Sequence, residues 1–231
     1  MTDELLCVIL DLDDTLYPQS DYLSGAMDRV AEVAASLGAD GSHLRSALDA
    51  ALCDGSDSGD VIGTALRLAA IEEIDVSVLV EAFRSYVPSR LEPYPGVRET
   101  LSKLKERVPL ALVSDGDVPG QKAKLEATGL TGLFSVLVFT DAMGRQFRKP
   151  DPAGVRRALE LLSSPPDRAI VIGDRPDKDV AAAMAAGVRA IRLLTGEYAS
   201  RPDLPGTFAT VASLAEAAEL LSPLLPRVGA R

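Results

Sequence analysis

Five short apolar runs constrain this chain more than anything else in it: LLCVIL (5–10), VPLALV (108–113), VLVF (136–139), AIVIG (169–173) and RAIRLL (189–194). Each is brief, nearly continuous and rich in Val, Ile and Leu, which is how strands buried on both faces read. Between them lie segments with helical spacing: VRETLSKLKER (97–107), GQKAKLEATG (120–129), DPAGVRRALELL (151–162) and DKDVAAAMAAG (177–187). Such alternation predicts a parallel sheet with helices on both faces, a three-layer α/β core. Gly129 and Gly187 stand where helix C-caps are expected. Further on, ATVASLAEAAELL predicts one more short strand and a helix, and PLLPRVGAR reads as a frayed tail.

The alternation breaks once. Residues 20 to 91 hold no convincing strand, only the helical stretches DYLSGAMDRVAEVAASLG, SHLRSALDAALC, VIGTALRLAA and VSVLVEAFRSYV. The expected organisation is therefore a core of residues 1–19 and 92–231 with an all-helical domain, 20–91, inserted into it. With 231 residues, 47% of them hydrophobic, the chain can build both a sizeable core and a smaller unit.

Several function classes drop out. The net charge is −10 and no Lys/Arg tract is present, so there is no electrostatic case for nucleic-acid binding. No apolar run approaches the roughly 20 residues that cross a bilayer, and the start lacks a basic leader, so a cytoplasmic protein is expected. Cys7 and Cys53 fit neither a disulfide framework nor a zinc cluster, and Cys7 reads as a small core residue. The single histidine, His43, excludes multi-histidine metal sites and argues against a Ser-His-Asp triad. DGSDSGD (54–60) opens like a calcium loop, but its twelfth position is Ala65 instead of a glutamate, so it is a polar loop.

In open α/β sheets, ligands bind beyond the carboxyl ends of the strands. Asp11-Leu12-Asp13-Asp14-Thr15 follows the first run and Ser114-Asp115-Gly116 the second. Arg148-Lys149-Pro150-Asp151 comes after the third, and Asp174-Arg175-Pro176-Asp177-Lys178-Asp179 after the fourth. Each alone is as readily a cap or a turn. Together they bring a hydroxyl, a lysine and two acidic clusters to one edge, and clustered carboxylates call for a positive partner.

In these four motifs the chain resembles the haloacid dehalogenase (HAD) superfamily of aspartate-nucleophile phosphotransferases. DxDxT is Asp11-Leu12-Asp13-Asp14-Thr15, the strand-end hydroxyl is Ser114, the lysine is Lys149 in KPDP, and the acidic motif is Gly173-Asp174 with Asp179. The insertion falls where that family carries its type 1 helical cap. The resemblance implies a Rossmann-like core and a hydrolase that takes the phosphate from a small phosphorylated metabolite. It assigns Asp11 as nucleophile, Asp13 as general acid/base and Lys149 as the residue that neutralises phosphoryl charge. Ser114 and Asp115, with Thr15 and Lys149, would bind substrate; Asp11, Asp174 and the carbonyl of Asp13 would hold Mg²⁺. Asp179 would support Lys149, while Asp177 either shares that task or caps the next helix. To carry a proton near neutral pH, Asp13 would need a raised pKa. Leu16-Tyr17-Pro18 suits a hinge; Tyr22, Met27, Phe83 and Tyr86 suit the interior of the helical domain. A phosphomutase with the same intermediate is the nearest alternative. A phospho-receiver domain is a more distant one, disfavoured because its acceptor Asp follows a later strand. Substrate identity and oligomeric state are not encoded legibly.

Overall fold

The computed structural model describes residues 4–53, 55–57 and 59–227. Asp54 and Ser58 of the DGSDSGD stretch and the last four residues of the tail lie outside the described residues. The chain divides into two compact units, one of residues 1–19 with 90–231 and one of residues 20–89.

The larger unit is built on a six-stranded, all-parallel sheet of β1 (Cys7–Leu10), β2 (Leu110–Ser114), β3 (Val136–Phe139), β4 (Ala169–Gly173), β5 (Arg189–Leu193) and β6 (Ala209–Val211). The strand order is β3-β2-β1-β4-β5-β6. β1, β2 and β4 are buried at every residue, as their apolar runs require. One face of the sheet packs Cys7, Ile9, Ala111, Val113 and Val171 against Val155, Ala158 and Leu159 of α7 (Ala153–Leu162). Cys7 is a buried free thiol, the core residue expected. Helices α5 (Val97–Lys105) and α9 (Leu214–Leu221) pack on one another, and α9 also meets β5 and β6. Helix α6 (Val118–Thr128) follows β2, with Asp117 accepting from Gly120 N at its start and Gly129 in the left-handed conformation at its end.

Pairing with both neighbours puts Leu10 level with Leu112 of β2 and Ile172 of β4. Asp11 is one residue beyond that level, and Ser114 and Asp174 are two beyond it. Strand order reverses at β1: the chain runs outward through β2 and β3, then returns to the other side of β1 through β4, β5 and β6. A ligand crevice is expected at such a switch point.

The smaller unit consists of α1 (Gln19–Ser36, whose first residue belongs to the larger unit), α2 (Gly41–Leu52), α3 (Val61–Leu68) and α4 (Val76–Arg84). Asp40, Asp60 and Asp75 cap the last three, each accepting a backbone N–H of the first turn. Their apolar stripes meet in a core of their own, including Met27, Val30, Leu44, Leu48, Leu66 and Leu79. Tyr22 is buried edge-on to Phe83, with ring centroids 6.1 Å apart, and Tyr86 lies 5.5 Å from it.

The C-terminal stretch departs from its reading as a frayed tail. Leu5 N donates to Leu224 O at 2.7 Å, and the Arg107 guanidinium donates to the carbonyls of Ser222, Leu225 and Pro226. One arginine thereby ties the C-cap carbonyl of α9 and the chain just beyond it to residue 107, a contact that no periodicity in the sequence announces.

Candidate active site

The first loop is held by the residue the sequence left without a role. Asp14 takes a left-handed conformation (φ 55°), which Asp tolerates better than most residues. Its carboxylate accepts from Gln19 N at 2.8 Å and Glu197 N at 3.2 Å, and its carbonyl accepts from Thr195 Oγ1 at 2.5 Å. Gly196, at φ 66°, leaves the needed room; a Cβ there would stand 2.0 Å from Asp14 Cγ. The turn fastens Asp11 and Asp13 in place on either side of Leu12.

Lys149 Nζ forms an ion pair with Asp11, meets Asp179 Oδ1 at 2.7 Å and reaches the Val113 carbonyl at 3.3 Å. Asp179 Oδ2 accepts from Arg175 N at 3.0 Å, so both its oxygens are engaged. Gly173 makes this approach possible, because a Cβ there would lie 2.4 Å from Asp179 Cγ. Asp115 faces the same lysine from behind: its Oδ1 accepts from Lys149 N at 3.2 Å and from Thr140 Oγ1 at 2.8 Å. Thr15 joins the first and fourth motifs, its hydroxyl donating to Asp174 Oδ1 and accepting from Asp174 N, both at 3.2 Å.

Three carboxylates, Asp11, Asp174 and Asp179, bring oxygens within 4.8 Å of one another around a single ammonium. Burial first, then Asp179 and Asp11, push Asp174 up to about 9. Asp11 is raised to about 7 by burial, with Lys149 opposing. Lys149 itself goes well above its ordinary value, because Asp11, Asp179 and Asp115 outweigh the opposing effect of burial. One more positive charge would relieve this set, and the place for it is visible. Asp174 Oδ2 is buried and meets no hydrogen-bond partner among the described residues. An all-oxygen donor set of this kind fits a hard divalent cation. Ser114 Oγ is likewise buried without a partner among the described residues, which leaves its hydroxyl available as a donor.

The sequence leaves the net shift of Asp13 open, and its neighbours in the fold decide it. Its pKa is lowered: burial would raise it, but the Lys124 ammonium and hydrogen bonds from Tyr17, Lys124 and Gln121 win. Tyr17 OH donates to Oδ1 at 2.5 Å, Lys124 Nζ reaches Oδ1 and Oδ2 at 3.0 and 3.1 Å, and Gln121 Nε2 donates to Oδ2 at 3.1 Å. Sequence reading missed Lys124 and Gln121, which look like the solvated face of α6. A signal was there: 121, 124, 125 and 128 form one helical stripe, and Leu125 and Thr128 on it are buried.

Asp177 does not cap the helix that follows. The chain there makes a π-helical turn, Pro176–Val180, before α8 (Ala181–Ala185), with no side-chain cap. Asp177 pairs with Arg175 at 2.8 Å and Arg201 at 3.0 Å instead, and both guanidinium groups lie over the Tyr198 ring. Two arginines outcompete a helix end for one carboxylate.

Comparison with known proteins identifies the family. The family model of haloacid dehalogenase-like hydrolases matches residues 5–187. The glyceraldehyde 3-phosphate phosphatase of Methanocaldococcus jannaschii is 26% identical over 94% of this chain and 97% of its own length. Its counterpart in Methanopyrus kandleri is 32% identical over 83% and 84%. Among solved structures, the HAD hydrolase YfnB of Bacillus subtilis superposes with a TM-score of 0.73 at 19% identity, covering 94% of this chain and 99% of that one. The receiver alternative has no place beside a match of this extent, and the chain belongs to the haloacid dehalogenase-like hydrolase family, as a phosphatase-like hydrolase.

Proposed function

We propose that this chain is a Mg²⁺-dependent phosphatase that hydrolyses a small phosphorylated metabolite through an aspartyl-phosphate on Asp11. The observation that carries the reading is the pairing of Asp11 with Lys149, together with two buried oxygens, Ser114 Oγ and Asp174 Oδ2, that meet no partner among the described residues. The carboxylates of Asp11 and Asp174, with the carbonyl of Asp13, would hold the cation. Bound there, Mg²⁺ would supply positive charge to the phosphoryl oxygens and offset the repulsion between the two carboxylates.

An Asp11 oxygen attacks phosphorus in line; the bond from phosphorus to the ester oxygen breaks, and Asp13 gives that oxygen its proton. Water then attacks phosphorus, Asp13 takes the water's proton, and the Asp11 carboxylate leaves with inorganic phosphate released. Lys149 neutralises charge on the phosphoryl oxygens while Asp179 and Asp115 hold it in place. Ser114 donates to one of those oxygens. Thr15 keeps the first and fourth motifs in register. In the free protein Asp13 is an anion, the form that accepts the proton from water. A phosphate dianion placed beside it raises its proton affinity, the sign the first step needs.

The test is Mg²⁺-dependent hydrolysis of p-nitrophenyl phosphate, with Asp11→Asn expected to lose at least about 10⁴-fold in kcat. Robust turnover by that variant would overturn the nucleophile assignment. The two archaeal relatives put triose phosphates first in a panel of phosphorylated metabolites ranked by kcat/KM, and product analysis separates a phosphatase from a phosphomutase.

A further inference from the structure

α6 begins within four residues of Ser114 and turns Gln121 and Lys124, one turn apart, onto the Asp13 carboxylate. Lys124 bridges both oxygens with its side chain only 7% exposed. Gln121 is buried too, and its Nε2 also donates to the Asp115 carbonyl at 2.5 Å, tying the clamp to the end of β2. A surface lysine has many rotamers; this one is packed, and it fixes a side chain that must exchange protons twice in each turnover. Displacement of a proton-transfer group by a fraction of an ångström lowers its rate steeply.

We propose that Lys124, braced by Gln121, is a positioning residue that fixes the Asp13 carboxylate for both of its proton transfers. The inference rests on the reading of Asp13 as general acid/base, and the experiment separates the two. Loss of positioning affects the first step only when the departing oxygen needs a proton. A p-nitrophenolate leaves without one; an aliphatic alkoxide does not. Attack of water on the aspartyl-phosphate needs the base whatever the substrate was.

Wild type, Lys124→Met, Gln121→Leu and Asp13→Asn are assayed with p-nitrophenyl phosphate and with an alkyl phosphate that the wild type turns over. For Lys124→Met, kcat/KM on the alkyl phosphate falls about 100-fold and on the aryl phosphate less than about 5-fold. With the aryl phosphate, kcat and KM fall together and a pre-steady-state burst of p-nitrophenolate appears, because the second step has become limiting. Gln121→Leu gives the same pattern at about a tenth of the size, and carries the test if Lys124→Met does not fold. Lys124→Arg, which keeps the charge, recovers part of the loss. The double variant Asp13→Asn/Lys124→Met is no slower than Asp13→Asn alone.

Equal losses on both leaving groups without a burst, in Lys124→Met or in Gln121→Leu, would mean a structural role and overturn the proposal. If Asp13→Asn shows the leaving-group pattern and the α6 variants do not, only the positioning role falls. If Asp13→Asn itself treats both esters alike, the reading of Asp13 falls first.

Discussion

Ser114 and Asp174 each bury an oxygen that meets no hydrogen-bond partner among the described residues. Such groups lower stability, so they persist where a ligand satisfies them. This separates function from folding in a measurable way. Ser114→Ala is expected to lower kcat about 10²- to 10³-fold, the usual effect of removing one donor to a developing charge. Its melting temperature should hold or rise, since no internal hydrogen bond is lost; a matching fall in stability would mean that Ser114 is structural. The two acids of the fourth motif divide in the same manner. Asp179 holds Lys149 and is 1% exposed, whereas Asp177 sits in an exposed arginine pair. Asp179→Asn should lose about 10- to 100-fold in activity and Asp177→Asn almost none. At this scale Asp11, Asp13, Ser114 and Asp174 were legible, because each follows a strand whose burial is written in its apolar run; Lys149 was legible from KPDP, since β3 before it leaves Leu137 exposed. Lys124 was missed despite sharing a helical stripe with Leu125, because a lysine on a helix reads as solvated until the helix's neighbour is known.

β4 to β5 forms a single bracket around Asp174. Arg192 is buried in β5 and 1% exposed; its guanidinium donates to the carbonyls of Asp174, Tyr198 and Arg201 and pairs with Asp203 at 2.6 Å. Arg175 and Arg201 lie 3.7 and 4.2 Å from the Tyr198 ring centroid, and Asp177 joins them. Chain that would otherwise be a loose strand-to-strand connection is thereby fastened to the Asp174 segment. The alternating elements were readable from RAIRLL and its neighbours, and the charged Arg192 inside a buried strand was the hint of the bracket. Its partners, scattered over residues 198–203, follow no period and so left no trace. Asp177 makes the bracket pH-dependent. The Arg175 guanidinium, aided by Arg201, holds its carboxyl at about 2, below the ordinary carboxylate value. A folded-state pKa below the unfolded one stabilises the protein above the unfolded value and loses that effect as pH falls through the folded value. The melting-temperature gap between wild type and Asp177→Asn should therefore be full at neutral pH and narrow between about pH 4 and about pH 2. A gap that stays constant down the acid range would remove Asp177 from the bracket's energetics.

At the scale of the whole molecule, there are two units with separate cores, and the cluster of Asp11, Asp174 and Asp179 belongs to the α/β unit. The net charge of −10 adds to the local demand for a cation. A ligand that binds only the folded protein stabilises it by about 2.7 kcal/mol at a hundred times its dissociation constant. For a chain of this size that is a rise of roughly 5 to 10 °C. Because each unit buries its own apolar residues, calorimetry with and without millimolar Mg²⁺ should move the transition of the α/β unit and leave that of the helical unit where it was. Asp174 provides the control. Burial, then Asp179 and Asp11, push its pKa up, so Asp174→Asn removes a charge that the cation-free protein disfavours and keeps the shape of the side chain. The variant should melt with the cation-free wild type and fail to respond to Mg²⁺. An unchanged response in the variant would move the cation away from the β1–β4 switch point, whereas a wild type indifferent to Mg²⁺, Mn²⁺ and Ca²⁺ alike would leave the three carboxylates to Lys149 alone.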